Sequence, residues 1–187
     1  MKTLNTIFIV LTLIFVSNSY AQTQPDMETT EEYLEKVFVS TYNFELKRSG
    51  VDYKITGYFD GFEFYNTSGF KYSMTSLTDG YCSLGYEFTE INWAKMEYIN
   101  DWDGVATNSP VGVLYIKFPN NSILRKGRID SNCNKEGFSS YGITQSVGFV
   151  LFPYLNQEGV RERLVKALNH LSKLEKEEQA KNDPFGN

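Results

Sequence analysis

The sequence predicts an α+β fold: an antiparallel meander or partly closed barrel of about seven strands, with an N-terminal helix and a long C-terminal amphipathic helix. Three observations carry this expectation. Between residues 53 and 152 the apolar residues mostly alternate with polar ones, the period of a strand. Gly- and Asn-containing pairs punctuate those segments where a hairpin would turn. At either end of this region the apolar spacing changes to that of a helix. Composition agrees, since 14 Phe and 13 Tyr among 187 residues suit strands.

Ahead of these elements, residues 1–21 read as a secretory signal peptide. Lys2 supplies the basic start, Ile7 to Val16 the apolar stretch, and Ser19-Tyr20-Ala21 a small-x-small cleavage site. The apolar run is shorter than the roughly 20 residues a spanning helix needs, so a membrane anchor is the weaker reading. No cysteine lies near the cleavage site to take a lipid. The mature chain is therefore expected to be exported, to the periplasm or the medium, with no transmembrane segment.

Residues 22–28 form a polar leader. Thr29 and Glu32 have the spacing of a capping box, so a helix is expected from Thr30 to Ser40. Leu34, Val37, Phe38 and Thr41 share one of its faces. Tyr53, Ile55, Gly57 and Phe59 then alternate up to Asp60-Gly61, which reads as a two-residue hairpin turn. Phe70 to Ser76 alternates again and ends near a second such pair, Asp79-Gly80. Tyr81 to Phe88 follows, then Ala94, Met96 and Tyr98 at strand spacing. Asn100 to Pro110 is rich in turn formers and reads as a loop. Val111 to Phe118 and Ile123 to Ile129 are strand-like, with Asn120-Asn121 turning between them. Ser131 to Glu136 is a polar loop. Ile143 to Phe152 is apolar on both faces, as a central or doubly covered strand would be, and Pro153 is expected to stop it. A helix capped by Asn156 is expected from Gln157, with Val160, Leu164, Ala167, Leu168, Leu171 and Leu174 in one stripe. Residues 29–175 thus make a single domain, and 176–187 a polar tail.

This order, helix, strands with hairpin turns, long helix, resembles the pleckstrin-homology-like superfold. The leader helix and the closing Arg161-Glu162-Arg163-Leu164-Val165-Lys166-Ala167-Leu168-Asn169-His170-Leu171 also look like uncharacterised exported bacterial proteins that pair such a helix with a β-domain. The resemblance implies no catalytic residues. A helix-grip fold, a long helix over a curved sheet around a cavity, fits the same order.

Charge excludes some functions. Without residues 1–21, which contain Lys2, the chain has 17 basic and 23 acidic residues, a net charge of −6. That balance argues against general nucleic-acid binding, which needs a basic face, and against anchoring on anionic membranes.

The candidate sites are few. Cys82 and Cys133 are the two cysteines. In an oxidising compartment a bridge between them would contribute about 2–4 kcal/mol; the alternative is a pair of buried thiols. Arg125, Lys126 and Arg128 form a basic cluster able to bind an anion. On a strand, Lys126 and Arg128 point one way and Arg125 the other, and the competing reading is an edge strand guarded by cations against aggregation. His170 is the only histidine, so any Ser-His or Cys-His chemistry would need it; a helix-flank histidine is the simpler reading. Asp130-Ser131-Asn132-Cys133-Asn134-Lys135-Glu136 begins like a calcium loop, but Lys135 and Tyr141 stand where that loop needs Gly and Glu. Asp101 and Asp103, and Glu87 and Glu90, are carboxylate pairs without a defined spacing in space. Asn66-Thr67-Ser68 and Asn120-Asn121-Ser122 match glycosylation sequons and read here as turn chemistry. No catalytic or phosphate-binding motif is present, and no cofactor is implied. Tyr53, Phe59, Phe62, Phe64, Phe70, Tyr72, Trp93 and Trp102 either line a ligand cavity or pack as core.

The expected function is a non-enzymatic binding or interaction domain of the cell envelope, its partner an unidentified protein or small molecule. A carrier of a hydrophobic small molecule is the second reading. An exported hydrolase using carboxylates or His170 is the third, motivated only by the presence of such residues.

Overall fold

The computed structural model describes residues 24–47, 57–66, 68–76, 82–129 and 144–183. The expected signal peptide at 1–21, Tyr53, Asp79-Gly80, Cys133 and the expected loop from Asp130 to Glu136 lie outside the described residues, as does the side chain of Cys82.

Among the described residues the fold is α+β, with nine antiparallel strands in two sheets that do not close into a barrel. Helix α1 spans Met27–Val39. Its N-cap is Asp26, not Thr29: the Asp26 carboxylate accepts the Thr29 N–H at 2.8 Å. That acceptor satisfies an orphan donor of the first turn, and it lets the helix begin three residues earlier than the Thr29–Glu32 pattern suggests. The expected face is the buried one: Leu34, Val37 and Phe38 are core, and Thr30 and Thr41 are buried with them.

The first sheet has the order β1-β2-β3-β4-β7-β8, comprising β1 (Glu45–Leu46), β2 (Gly57–Asn66), β3 (Gly69–Ser76), β4 (Cys82–Thr89), β7 (Ile123–Ile129) and β8 (Thr144–Val147). The second, β5-β6-β9, holds β5 (Tyr98–Asp101), β6 (Val111–Lys117) and β9 (Phe149–Leu155). Asp60-Gly61 does not turn the chain. It lies inside β2 as a bulge, with Phe59 opposite Met74 and Gly61 opposite Ser73, so that Asp60 is the extra residue. Gly61 suits the bulge because an added Cβ would sit 2.6 Å from the Ser73 hydroxyl. Residues 93–95 form a short 3₁₀ helix rather than a strand, and β5 begins only at Tyr98.

Residues 111–129 and 144–155 form one long antiparallel ribbon. Val111 to Lys117 pair with Leu155 to Phe149, and Ile123 to Lys126 with Val147 to Thr144. Five residues, 118–122, stand opposite the single Gly148, so the ribbon bends there and its halves join different sheets. The Phe118 N–H still bonds the Gly148 carbonyl at 2.9 Å, which carries the ladder across the bend. The expected strand from Ile143 to Phe152 is thus two strands, and Pro153 does not end the second. The Asn156 N–H bonds the Pro110 carbonyl, which fixes the alternation of the ladder so that position 153 needs no bond toward β6. β9 is an edge strand of its sheet, where proline is tolerated.

Helix α2 spans Val160–Asn182, starting after Gly159 at φ 71 rather than at an Asn156 cap. Leu164, Leu168 and Leu171 of the expected stripe are fully buried. α2 packs against α1, the 3₁₀ segment and β9. Glu175 accepts the Ala94 N–H at 3.2 Å, which fixes the helix to the 3₁₀ turn. The core between sheets and helices is aromatic. Phe38 of α1 lies 4.3 Å from Phe62 and 5.3 Å from Tyr72 in the first sheet, and 5.7 Å from Phe152 in the second. No helix among the described residues is long and apolar enough to cross a membrane.

Candidate functional site

The basic cluster is divided by the strand that carries it. β7 lies between β4 and β8, so it is not the guarded edge strand considered above. Alternation along β7 places Ile123, Arg125 and Gly127 on one face and Leu124, Lys126 and Arg128 on the other. Lys126 stands opposite Glu87 and Thr144. Two strands away on the same face, Lys71 pairs with Glu63 at 2.6 Å. This face is a ladder of alternating charge. The Arg128 side chain lies outside the described residues.

Arg125 sits on the opposite, core-bearing face. Its partner across the ladder is Phe88, which is 1% exposed. The guanidinium donates to the Gln145 side-chain oxygen at 2.6 Å. It lies 5.5 Å from the centre of the Tyr86 ring and 5.7 Å from that of Phe149. A cation between two ring faces is attracted by both quadrupoles. Among the described residues Gln145 is the one hydrogen-bond acceptor it meets, although a guanidinium carries five N–H donors.

From Phe149 an aromatic row continues over the second sheet. Phe149 stacks on Tyr115 at 5.2 Å and 20° between planes, and Tyr115 lies 6.4 Å from Tyr98. The register explains the row. Lys117 is opposite both Tyr98 and Phe149, while Tyr115 is opposite Asn100 and Leu151. The three rings are therefore diagonal neighbours across β5, β6 and β9, within reach of large side chains. Tyr98 at the end of the row is 48% exposed, and Tyr115, Phe149, Arg125 and Tyr86 are half-buried. Burial, then the neighbouring Tyr98 and Glu97, push the Tyr115 phenol above its usual range, so it remains a neutral donor.

The remaining candidates serve the fold. His170 Nε2 lies 2.6 Å from the Pro25 carbonyl, so the histidine ties the segment ahead of α1 to α2. Asp101 receives the Arg161 guanidinium rather than facing Asp103 across a site. Glu90 closes β4 with a positive φ of 62°. Among the described residues, no group of three or more His, Cys, Asp or Glu is placed to hold a metal ion. Of the rings nominated as cavity lining, Phe59, Phe62, Phe64, Phe70 and Tyr72 pack edge-on or tilted against one another, as core rings do. Trp93 packs on Phe118 at the bend.

Sequence reasoning found Arg125 but not its setting. Tyr86, Tyr115 and Phe149 lie in alternating or apolar runs that look like core, and only strand register shows that they line up with the arginine. Compared with protein-family models, with curated proteins and with solved structures, the chain finds no match in any of the three.

Proposed function

We propose that this protein is a non-enzymatic binding domain of the cell envelope, and that the row Tyr98–Tyr115–Phe149–Arg125–Tyr86 is its contact surface. The observation that carries this reading is the half-buried Arg125 held between Tyr86 and Phe149. Aromatic side chains and arginine are the residues that dominate binding energy at interfaces, because they present large, stiff surfaces with polar tips. A row continued by Tyr115 and Tyr98 extends that surface across a second sheet. The envelope location follows from the signal peptide read in the sequence. The aromatic core supports a binding surface outside the molecule over a carrier cavity inside it, since its rings satisfy one another.

The test is co-sedimentation of the mature protein with washed envelope material, sacculi and membrane vesicles separately. Wild type should sediment with one of them, and Tyr115→Ala and Phe149→Ala should sediment at least about tenfold less while melting within a few degrees of wild type. Equal sedimentation of wild type and both variants would remove the row from the proposal.

A further inference from the structure

The row differs from the rest of the molecule in charge. In a chain of net charge −5 the row carries two cations, Arg125 and Lys117, and the Glu97 carboxylate lies beside Tyr115. Lys117 bonds the Asn120 side chain at 2.8 Å, which leaves Arg125 as the planar fork within the row. Such a fork matches a carboxylate by two parallel N–H···O bonds. Planar amides stand next to the rings: Gln145 bonds Arg125, and Asn100 is opposite Tyr115 in the ladder. Amides and guanidinium groups can donate to hydroxyls that an aromatic ring alone cannot satisfy.

The same facts narrow the occupant. One fork among rings does not neutralise a phosphate backbone or an anionic bilayer, both of which need several cations on one surface. A wholly apolar ligand would desolvate the guanidinium while offering no acceptor beyond Gln145 for its N–H donors. A chain with flat apolar faces, many hydroxyls and an occasional carboxylate matches the rings, the amides and the single fork together. We infer that the row binds an acidic polysaccharide, with Arg125 taking a sugar carboxylate and Phe149, Tyr115 and Tyr98 packing against successive sugar faces. This rests on the binding-surface reading above and names its ligand class.

The test is affinity electrophoresis of the mature protein through gels containing polygalacturonate, dextran, dextran sulfate or polyglutamate. Polygalacturonate should retard the protein, and the other three should not. Arg125→Gln should weaken the retardation about tenfold or more, and Arg125→Lys, which keeps the charge but not the fork, should weaken it severalfold. Tyr98→Ala, at the exposed end of the row, should weaken it with no change in melting temperature. Three results would each overturn the inference: no retardation by polygalacturonate, equal retardation by dextran sulfate or polyglutamate, or retardation of Arg125→Gln equal to wild type. Envelope binding that is lost in Tyr115→Ala but comes without polygalacturonate binding would overturn the ligand class and leave the contact surface standing.

Discussion

The Nε of Arg161 donates to both carboxylate oxygens of Asp101, at 2.8 and 3.0 Å, joining the first turn of α2 to the end of β5. The Tyr154 hydroxyl approaches the same carboxylate at 3.4 Å. Both charged side chains keep substantial solvent contact, so the pair is screened and each partner can return to water. Asp101→Asn is expected to cost at most about 1 kcal/mol, and the loss should shrink as salt is raised. Urea melts at low and high ionic strength would measure it; a loss that salt does not change would mean that the interaction is not ionic.

Gly112 faces Tyr154 across the β6–β9 ladder, and a Cβ on Gly112 would sit far inside contact distance of Cζ of the Tyr154 ring. Both residues are buried, so neither has room to move aside. Gly112→Ala should destabilise by about 1–3 kcal/mol through overpacking. In a Tyr154→Ala background the same change should cost clearly less, because the obstructing ring is gone. Equal costs in the two backgrounds would place the strain elsewhere.

Phe38 is fully buried and meets rings from both sheets. Its truncation removes contacts from each of them at once. Phe38→Ala should cost about 3–5 kcal/mol, a large part of the roughly 5–15 kcal/mol that a domain has in total. Phe38→Leu should recover much of it. Thermal melts of both variants would show whether the ring joins the two sheets, as its contacts indicate.

Glu31 gives a pH-dependent prediction. Burial, and behind it the charge of Glu28, hold its carboxyl above the usual glutamate range. Its Oε1 is buried without a hydrogen-bond partner among the described residues. The folded state therefore holds the proton more tightly than the unfolded chain. The stability this contributes is fully present below the unfolded glutamate pKa and is lost as pH rises through the raised folded value. Glu31→Gln cannot ionise, so it should be more stable than wild type at neutral pH. The gap should close on acidification below the ordinary glutamate range. Denaturation curves at several pH values would check this, and a gap that widens in acid would reverse the sign.

What the sequence shows plainly is what depends on one segment at a time. The buried faces of α1 and α2 follow from the spacing of Leu34, Val37 and Phe38 and of Leu164, Leu168 and Leu171, since a helix makes its own hydrogen bonds and needs only a face. The strand from Ile123 to Ile129 is legible for the same reason. Strand pairing is not, because it belongs to two segments. Asp60-Gly61 has the composition of a hairpin turn, yet β3 runs past it as a partner and makes it a bulge. Pro153 looks like a terminator until β9 is seen to be an edge. The candidate site is the extreme case: Arg125 and Tyr115 come from different strands of different sheets, related only through the register of a bent ribbon.

That ribbon also determines how the molecule can come apart. Its two sheets are joined by the same pair of strands continuing through Gly148 and residues 118–122, not by a flexible connector. Assembly of one sheet is thereby coupled to assembly of the other, because each holds one half of both continuous strands. Equilibrium unfolding should accordingly be a single cooperative transition. Refolding should be slow for a chain of this size, since pairings such as Val111 with Leu155 join residues far apart in the sequence.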